Sequence, residues 1–271
     1  MRKEIKEILS GKAKEVQKDI IRMIGISGFG PLKESLSVVD MLVYLYWEEL
    51  LLLPNEPNRI DRDRVFWGME EAVPTLYAVL ANRGFFNRDE LWHYRRLGSI
   101  LQALPEPNRV SGVDSPCACG DQILSMASPV AQELSRIYPQ PRVICICKGS
   151  NLRENFFDEI ARAGQAKLGN LILLLIKIAE TDDSEKEKET KIYLENKWTV
   201  HSVNGNSFAE LEEVFDSLNY GDCYPKAIFV NIKGMKKIPF VEDLKYPKSR
   251  AVRLEAVAQA LQVLEVENEK Q

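Results

Sequence analysis

The sequence predicts an α/β fold in which a parallel β-sheet carries helices on both faces. Residues 143–147 form a short apolar run rich in β-branched residues, which is typical of a strand buried on both faces. A turn follows at 148–150, then apolar residues at helical spacing over 152–163, and then a second apolar run at 171–176. Strand, turn, helix and strand in this order make one βαβ unit, whose two strands run parallel.

A second unit of the same kind follows along the chain. Residues 198–203 and 227–232 predict two further strands, and Ser207 with Glu210 predicts the capped start of a helix between them. Two successive units imply a parallel sheet that is covered on both faces. Ligands of such sheets usually sit beyond the carboxyl ends of the strands, beside helix N-termini. We therefore expect the ligand site of this chain to lie around Lys148, directly after the first apolar run.

The remaining segments are predicted mostly as helices. Residues 4–24 show an amphipathic helical pattern that we expect to break near Gly11. Ser37 and Asp40 resemble a capping box, which predicts a helix that runs to about Leu53. Further helices are predicted after Trp67, from Asn87 and over 121–138, with a loop at 105–120 and a charged, solvated loop at about 179–197.

Length, composition and charge exclude several classes of function. With 271 residues, 45% of them hydrophobic, the chain is long enough for one sizeable core, and we expect a single domain over 1–271. A net charge of -4 and the lack of a basic arm argue against a nucleic-acid partner. The charged start is not a secretory signal and the apolar runs are too short to span a bilayer, so we expect a cytoplasmic location and no membrane contact. Five cysteines, an odd number, favour reduced thiols.

Several segments carry a resemblance to a known family. They are SLSVVDMLVYLY (35–46), RDRVFW (62–67), AVPTLYAVLANRGFF (72–86), LWHYRRLGS (91–99), GVD (112–114) and KLGNLI (167–172). In order and spacing they resemble the N-terminal, pyrophosphate-binding half of transketolases, which is a separate subunit in some organisms. The resemblance covers approximately residues 20–240 and implies a thiamine-diphosphate-binding-like fold.

The chain departs from this family at the metal site. Transketolases hold the divalent cation of thiamine diphosphate with a Gly-Asp-Gly turn and a later Asn. The resemblance puts Lys148 at the Asp position and Ile178 at the Asn position, while Gly149 remains. Neither replacement supplies the oxygen ligand that Mg²⁺ prefers. We therefore expect no metal ligand here.

The family's histidines and its glycine-rich loop are replaced as well. Pro31, Glu71 and Leu104 stand at histidine positions, and the loop lies against 118–123, where larger side chains would hinder close approach of the backbone. We therefore expect no catalytic residue and no cofactor, and thiamine diphosphate with Mg²⁺ only if the chain works as an enzyme. The positions of this degenerate pocket are Asp114, Cys119, Gly120, Lys148 and Gly149.

Three features of the sequence are each compatible with two interpretations. Lys148 is either a solvated turn residue or a group that pairs directly with a phosphate in place of the lost cation. Glu71 is either a surface carboxylate or a general base. The pairs Cys117/Cys119 and Cys145/Cys147 could together hold zinc, although a buried strand also uses cysteine as a small apolar filler.

Two functions remain open. The first is a non-catalytic, transketolase-like assembly or regulatory subunit. The second is a working N-terminal subunit of a split transketolase, which would transfer a two-carbon ketol unit between sugar phosphates; it needs a partner because the family's catalytic glutamate lies in the other half. Residues 38–53 and 123–130 are apolar enough to predict a partner surface. We expect a homodimer or a hetero-oligomer with a transketolase C-terminal subunit.

Overall fold

A five-stranded, fully parallel sheet organises the computed structural model of the chain, which describes residues 1–117, 122–138, 140–149, 152, 154–178, 183–232 and 250–266. The strand order is β1-β2-β3-β5-β4, so β4 and β1 form the edges. The strands are β1 (Arg64–Gly68), β2 (Val143–Lys148), β3 (Leu171–Lys177), β4 (Thr199–Asn204) and β5 (Lys226–Asn231). The prediction of a parallel α/β sheet is confirmed.

Strands β2 and β3 are apolar up to their last residues, Lys148 and Lys177, because both of their faces are covered. Side chains alternate across a strand, so Ile144 and Ile146 enter the apolar cluster on one face of the sheet, while Cys145 and Cys147 enter the cluster on the other face. Strand β3 divides its side chains in the same way. This two-sided burial explains why no polar residue interrupts the runs that predict these strands.

Helices form the two outer layers. One face of the sheet is covered by helices that include α1, α3, α4, α8 and α9, and the other face by α5, α6 and α7. The bounds are α1 (Lys3–Ser27), α2 (Leu32–Ser37), α3 (Val39–Tyr44), α4 (Val73–Asn82), α5 (Ile123–Leu134), α6 (Glu154–Gln165), α7 (Asp183–Glu195), α8 (Phe208–Ser217) and α9 (Arg250–Val266), with short 3₁₀ turns at Glu70–Ala72 and Arg88–His93. None of the helices in these described ranges is both long and apolar enough to cross a membrane.

Two helix predictions need correction near the N-terminus. Helix α1 continues through Gly11, where an added Cβ would meet nothing within 4 Å, so this glycine lowers helix propensity without breaking the helix. The Ser37 hydroxyl donates to the Glu34 carbonyl oxygen at 2.7 Å, inside α2, and does not cap α3. After α3 the chain makes a π-helical turn, Leu45–Glu49, and is extended at Leu50, so the helix ends before Leu53.

The charged segment also differs from its prediction. The sequence predicts a loop over about 179–197, but α7 occupies Asp183–Glu195. Glutamate and lysine are good helix formers, and Lys191 with Glu195 forms an i,i+4 ion pair at 3.7 Å. Tyr193 anchors the helix because its ring is fully buried against Trp198 and Phe229. The capped start of α8 is confirmed, since the Ser207 hydroxyl accepts a hydrogen bond from the Glu210 amide.

The two apolar segments that predict a partner surface are largely buried within the chain itself, although Leu51 is 52% exposed. Every residue of 38–46 except Asp40 is buried, because α3 packs against α1, α4 and α8. In 123–130 the residues Ile123, Leu124 and Ala127 are buried where α5 packs on the sheet. The apolar character of both segments therefore reflects the core, and it gives no evidence for an interface.

Candidate functional site

The carboxyl edge of the sheet brings together Lys148 and Glu71, two of the polar groups that the sequence places at the family's cofactor site. Strand β2 ends at Lys148, and strands β3 and β5 end at the paired residues Lys177 and Asn231. The 3₁₀ turn after β1 brings Glu71 to the same edge. The carboxyl ends of parallel strands face the same edge of the sheet, so residues that follow different strands can meet here.

Lys148 and Glu71 form an ion pair across this edge. The Lys148 Nζ lies 3.4 Å from Glu71 Oε1, and each side chain is 46% exposed. A long, solvated pair of this kind contributes little to folding and exchanges readily with solvent ions. The sequence places Lys148 at the family's metal position and Glu71 at a histidine position without relating the two. The pair could not be predicted because the segment RDRVFW does not show a strand pattern. Without strand β1, the sequence gives no reason to place Glu71 at this edge.

Lys177 is a second lysine at this edge, and the sequence does not single it out. Its Nζ lies 2.5 Å from Glu189 Oε2 and 4.8 Å from the centre of the Phe229 ring, and its side chain is 6% exposed. The Lys177 ammonium group is thus held in an ion pair with Glu189 of α7. Lys148 is the more accessible ammonium group of the two.

Gly149 follows Lys148 and shapes the turn. Its amide donates to the Ile176 carbonyl oxygen at 2.9 Å, which extends the β2–β3 ladder by one residue. A Cβ added at Gly149 would lie 3.4 Å from the aliphatic part of Lys177, an ordinary van der Waals contact. The space around this glycine therefore does not exclude a small side chain. The two other predicted pocket residues at the glycine-rich loop, Cys119 and Gly120, lie outside the described residues.

Asp114, also predicted as a pocket residue, lies elsewhere. Its carboxylate accepts two hydrogen bonds from the Arg62 guanidinium, at 3.0 and 2.5 Å, and one from the Val65 amide at 2.8 Å. Val65 pairs with Ile144, near the amino end of the sheet and four residues before Lys148. Asp114 is 5% exposed. It joins β1 to the preceding loop and does not meet Lys148 and Gly149 at the carboxyl edge.

Ile178, at the family's second metal position, is a packing residue. It is half-buried and contacts the apolar cluster that also contains Ile176 and Val230. An aliphatic side chain has no lone pair for a cation. Among the described residues no group of three His, Cys, Asp or Glu side chains is arranged to hold a metal ion.

The cysteines of β2 act as apolar side chains. Cys145 and Cys147 are fully buried in the cluster beneath α5, α6 and α7. Burial raises the pKa of the Cys147 thiol to about 12 and raises the pKa of Cys145 well above its usual value. Zinc requires thiolates, so this environment favours the interpretation of these residues as small fillers of a buried strand.

A cavity of about 290 Å³ lies beside the edge strand β4, next to the carboxyl edge. Its lining includes Lys177, Phe229 and Asn231 from the sheet, Thr190 from α7, and His201 from β4. Burial and, to a smaller extent, the Lys226 ammonium group lower the pKa of His201, so its imidazole is neutral at pH 7. The other histidine, His93, is exposed on the second 3₁₀ turn.

These residues fit an anionic cofactor better than they fit its usual metal ion. Lys148 offers an exposed ammonium group where three parallel strands end, which suits a phosphate oxygen. Mg²⁺ prefers several oxygen ligands in a near-octahedral arrangement. Lys148 and Ile178 supply none, and within the described part of the chain Lys148 is paired with the Glu71 carboxylate.

Comparison with known proteins places this geometry in context. Residues 24–233 match the family described as transketolase, thiamine diphosphate binding domain. One relative, the 6-deoxy-6-sulfo-D-fructose transketolase subunit SqwG of Clostridium sp. (strain MSTE9), is 26% identical over 83% of this chain and 85% of its own length. Another, an apulose-4-phosphate transketolase subunit of Phocaeicola vulgatus, is 22% identical over 88% of this chain and 87% of its own.

Solved transketolases share the fold. The transketolase of Leishmania mexicana superposes with a TM-score of 0.76 at 16% identity, over 96% of this chain and 46% of the other chain. That of Campylobacter jejuni gives 0.75 at 18% identity, over 97% and 48%. This chain thus spans less than half the length of those transketolase chains.

The expectation of no cofactor is wrong. The matched family is defined by a thiamine diphosphate binding domain, and the relatives are transketolases and their subunits, which points to thiamine diphosphate. The error arises because the replacement of the family's metal ligands, histidines and loop glycines is equated with loss of the whole cofactor site. The family match and the shared fold agree: the chain belongs to the transketolase thiamine diphosphate binding domain family.

Proposed function

We propose that this chain is the thiamine diphosphate-binding subunit of a two-subunit, transketolase-type assembly, and that it holds the cofactor without contributing an acid–base group of its own. The observation that carries the proposal is the Lys148–Glu71 pair at the carboxyl edge, which stands where the family has a metal ligand and a histidine. An ammonium group there can hold a diphosphate. The imidazole that the family has at the other position, which could act as an acid or a base, is replaced here by the Glu71 carboxylate.

A partner chain follows from the same comparison. The Clostridium and Phocaeicola relatives are both named as subunits, and this chain covers most of their length but less than half of the solved transketolase chains. The part of the longer transketolase chains that this chain does not cover would then correspond to a second, C-terminal transketolase-like chain. The present chain would serve the assembly by binding the cofactor and by presenting the sheet edge to that partner.

The test is to purify the chain, tagged, from its native cells together with the chains that accompany it. We expect about one thiamine diphosphate per copy of the chain by chromatography of the denatured complex. A matched preparation of the Lys148→Glu variant, which reverses the charge at the edge, should carry much less. Absence of thiamine diphosphate from the unaltered complex would contradict the proposal.

A second candidate is a working N-terminal subunit that transfers ketol units between sugar phosphates. It is favoured by the names of the two relatives, both of which are transketolase subunits for particular sugars. The same purified complex separates the candidates when it is given a ketose phosphate donor and an aldose acceptor. Because this chain has two histidines in all, neither of them at the family positions, we expect no turnover. Transfer that depends on added thiamine diphosphate would favour the working subunit.

A further inference from the structure

We propose that Lys148 replaces the divalent cation, so that this chain binds the diphosphate of thiamine diphosphate without Mg²⁺. The inference rests on the proposed function and adds to it a specific means of binding. It predicts a difference in metal dependence that can be measured separately from cofactor binding itself.

The donor chemistry at the edge is the first argument. A divalent ion needs several oxygen ligands, but β2 ends in an ammonium group and the residue after β3 is the aliphatic Ile178. Among the described residues, no group of three His, Cys, Asp or Glu side chains is arranged to hold the ion instead. A cation beside Lys148 would also be repelled by its charge. The edge is thus built to attract an anion directly.

The geometry of Lys148 is the second argument. It is the last residue of β2, is half exposed, and lies beside β3 in the middle of the sheet, where the register aligns it with Ile176. Its contact with Glu71 is 3.4 Å long and solvated, so the ammonium group can leave it at small cost. A diphosphate carries more charge than one carboxylate and offers more acceptor oxygens. The phosphate should therefore displace Glu71 from Lys148.

The neighbouring charges support this exchange. Lys177, on the adjacent strand, remains paired with Glu189 and is almost fully buried, so it does not compete for the ligand. Glu71 is the carboxylate shown in contact with Lys148, and it lies on a short 3₁₀ turn with its side chain half exposed. In the absence of the cofactor, the Glu71 carboxylate neutralises the charge of Lys148.

The inference can be tested by calorimetric titration of thiamine diphosphate. The complex is purified from native cells and stripped of cofactor before the titration. One titration contains EDTA and the other contains millimolar Mg²⁺. We expect nearly equal affinity in both. In EDTA, Lys148→Ala should weaken binding roughly 10- to 100-fold, as expected for loss of a hydrogen bond to a charged group. Lys148→Arg should retain binding, because the charge remains.

Two further variants sharpen the result. Glu71→Gln removes the competing carboxylate and should tighten binding in EDTA by up to about fivefold. Lys12→Ala is the matched control, since Lys12 is a partly exposed lysine paired with Glu15 on α1, away from the sheet edge. We expect it to leave the affinity unchanged.

The outcomes separate this inference from the proposed function. Binding that occurs with Mg²⁺ and disappears in EDTA would overturn the role of Lys148 and leave the proposed cofactor intact. Binding in EDTA that Lys148→Ala does not weaken would also overturn that role. Failure to bind under both conditions would overturn the inference and the proposed function together.

Discussion

The contribution of each charged residue to stability depends on its burial. Asp114 and Asp61 both accept hydrogen bonds from an arginine, Asp114 from Arg62 and Asp61 from Arg59. The first pair lies under the start of β1, while the second lies in solvent. Removing one partner of a buried pair leaves an uncompensated charge, whereas an exposed arginine is simply hydrated.

This contrast gives a residue-scale prediction. Asp114→Ala should lower the free energy of unfolding by about 3–5 kcal/mol, because Arg62 and the Val65 amide lose their acceptor in the interior. Asp61→Ala, the matched control, should leave stability nearly unchanged. Urea denaturation measures both. If Asp114 were a cofactor residue, its variant would weaken thiamine diphosphate binding with little loss of stability, which is the opposite of our expectation.

The position of Lys148 could be predicted from the sequence, but the position of Asp114 could not. A residue directly after a buried parallel strand must lie at the carboxyl edge, so local pattern is sufficient for Lys148. Asp114 lies in an irregular segment, and its partner Arg62 is 52 residues away. No local pattern records such a contact. The Lys148–Glu71 pair escapes prediction for the same reason, since 77 residues separate its members.

At the scale of elements, the ends of helices depend on single residues. Helix α7 ends at Glu195, and Lys197 then adopts the left-handed conformation with φ of 65°. The Trp198 amide donates back to the Tyr193 carbonyl oxygen at 3.0 Å, as in a Schellman cap. Glycine is the residue that adopts this conformation without steric cost. A lysine here is therefore strained.

A glycine at this cap should stabilise the fold. We expect Lys197→Gly to raise the free energy of unfolding by about 0.5–1 kcal/mol, because relief of the left-handed strain exceeds the added chain entropy of glycine. Lys191→Gly makes the same exchange inside α7, where glycine is unfavourable, and should cost about 1 kcal/mol. Thermal denaturation of the two variants gives the comparison. Equal effects on stability would show that the cap is not strained.

Elements with a clear apolar pattern can be predicted from the sequence, whereas elements with a charged or mixed pattern cannot. Strands β2 and β3 follow from their continuous apolar runs. The sequence of helix α7 resembles a loop because its many charged residues make the buried Tyr193 hard to recognise as an anchor. Strand β1 escapes prediction because it is short and begins with an arginine. In both elements, contacts with distant parts of the chain decide the structure.

At the scale of the whole molecule, the order of strands and helices along the chain predicts the parallel sheet. The apolar composition of a segment does not reveal whether other parts of the chain cover it. Residues 38–53 have the composition of an interface, yet most of them lie in the core beneath α1, α4 and α8. Burial by distant helices cannot be read from a local run of apolar residues. The case for an assembly therefore rests on the relatives named as subunits and on the chain's share of the longer transketolases.

The last prediction concerns that assembly. Since the segments proposed as an interface are already covered, the chain should remain folded without a partner, and its association should depend on the second subunit. We expect sedimentation equilibrium at micromolar concentration to give a mass well above the 30.9 kDa of one chain when a C-terminal transketolase-like subunit is present. The chain alone should give one or two copies. A monomer under both conditions would contradict the proposed assembly with a second subunit.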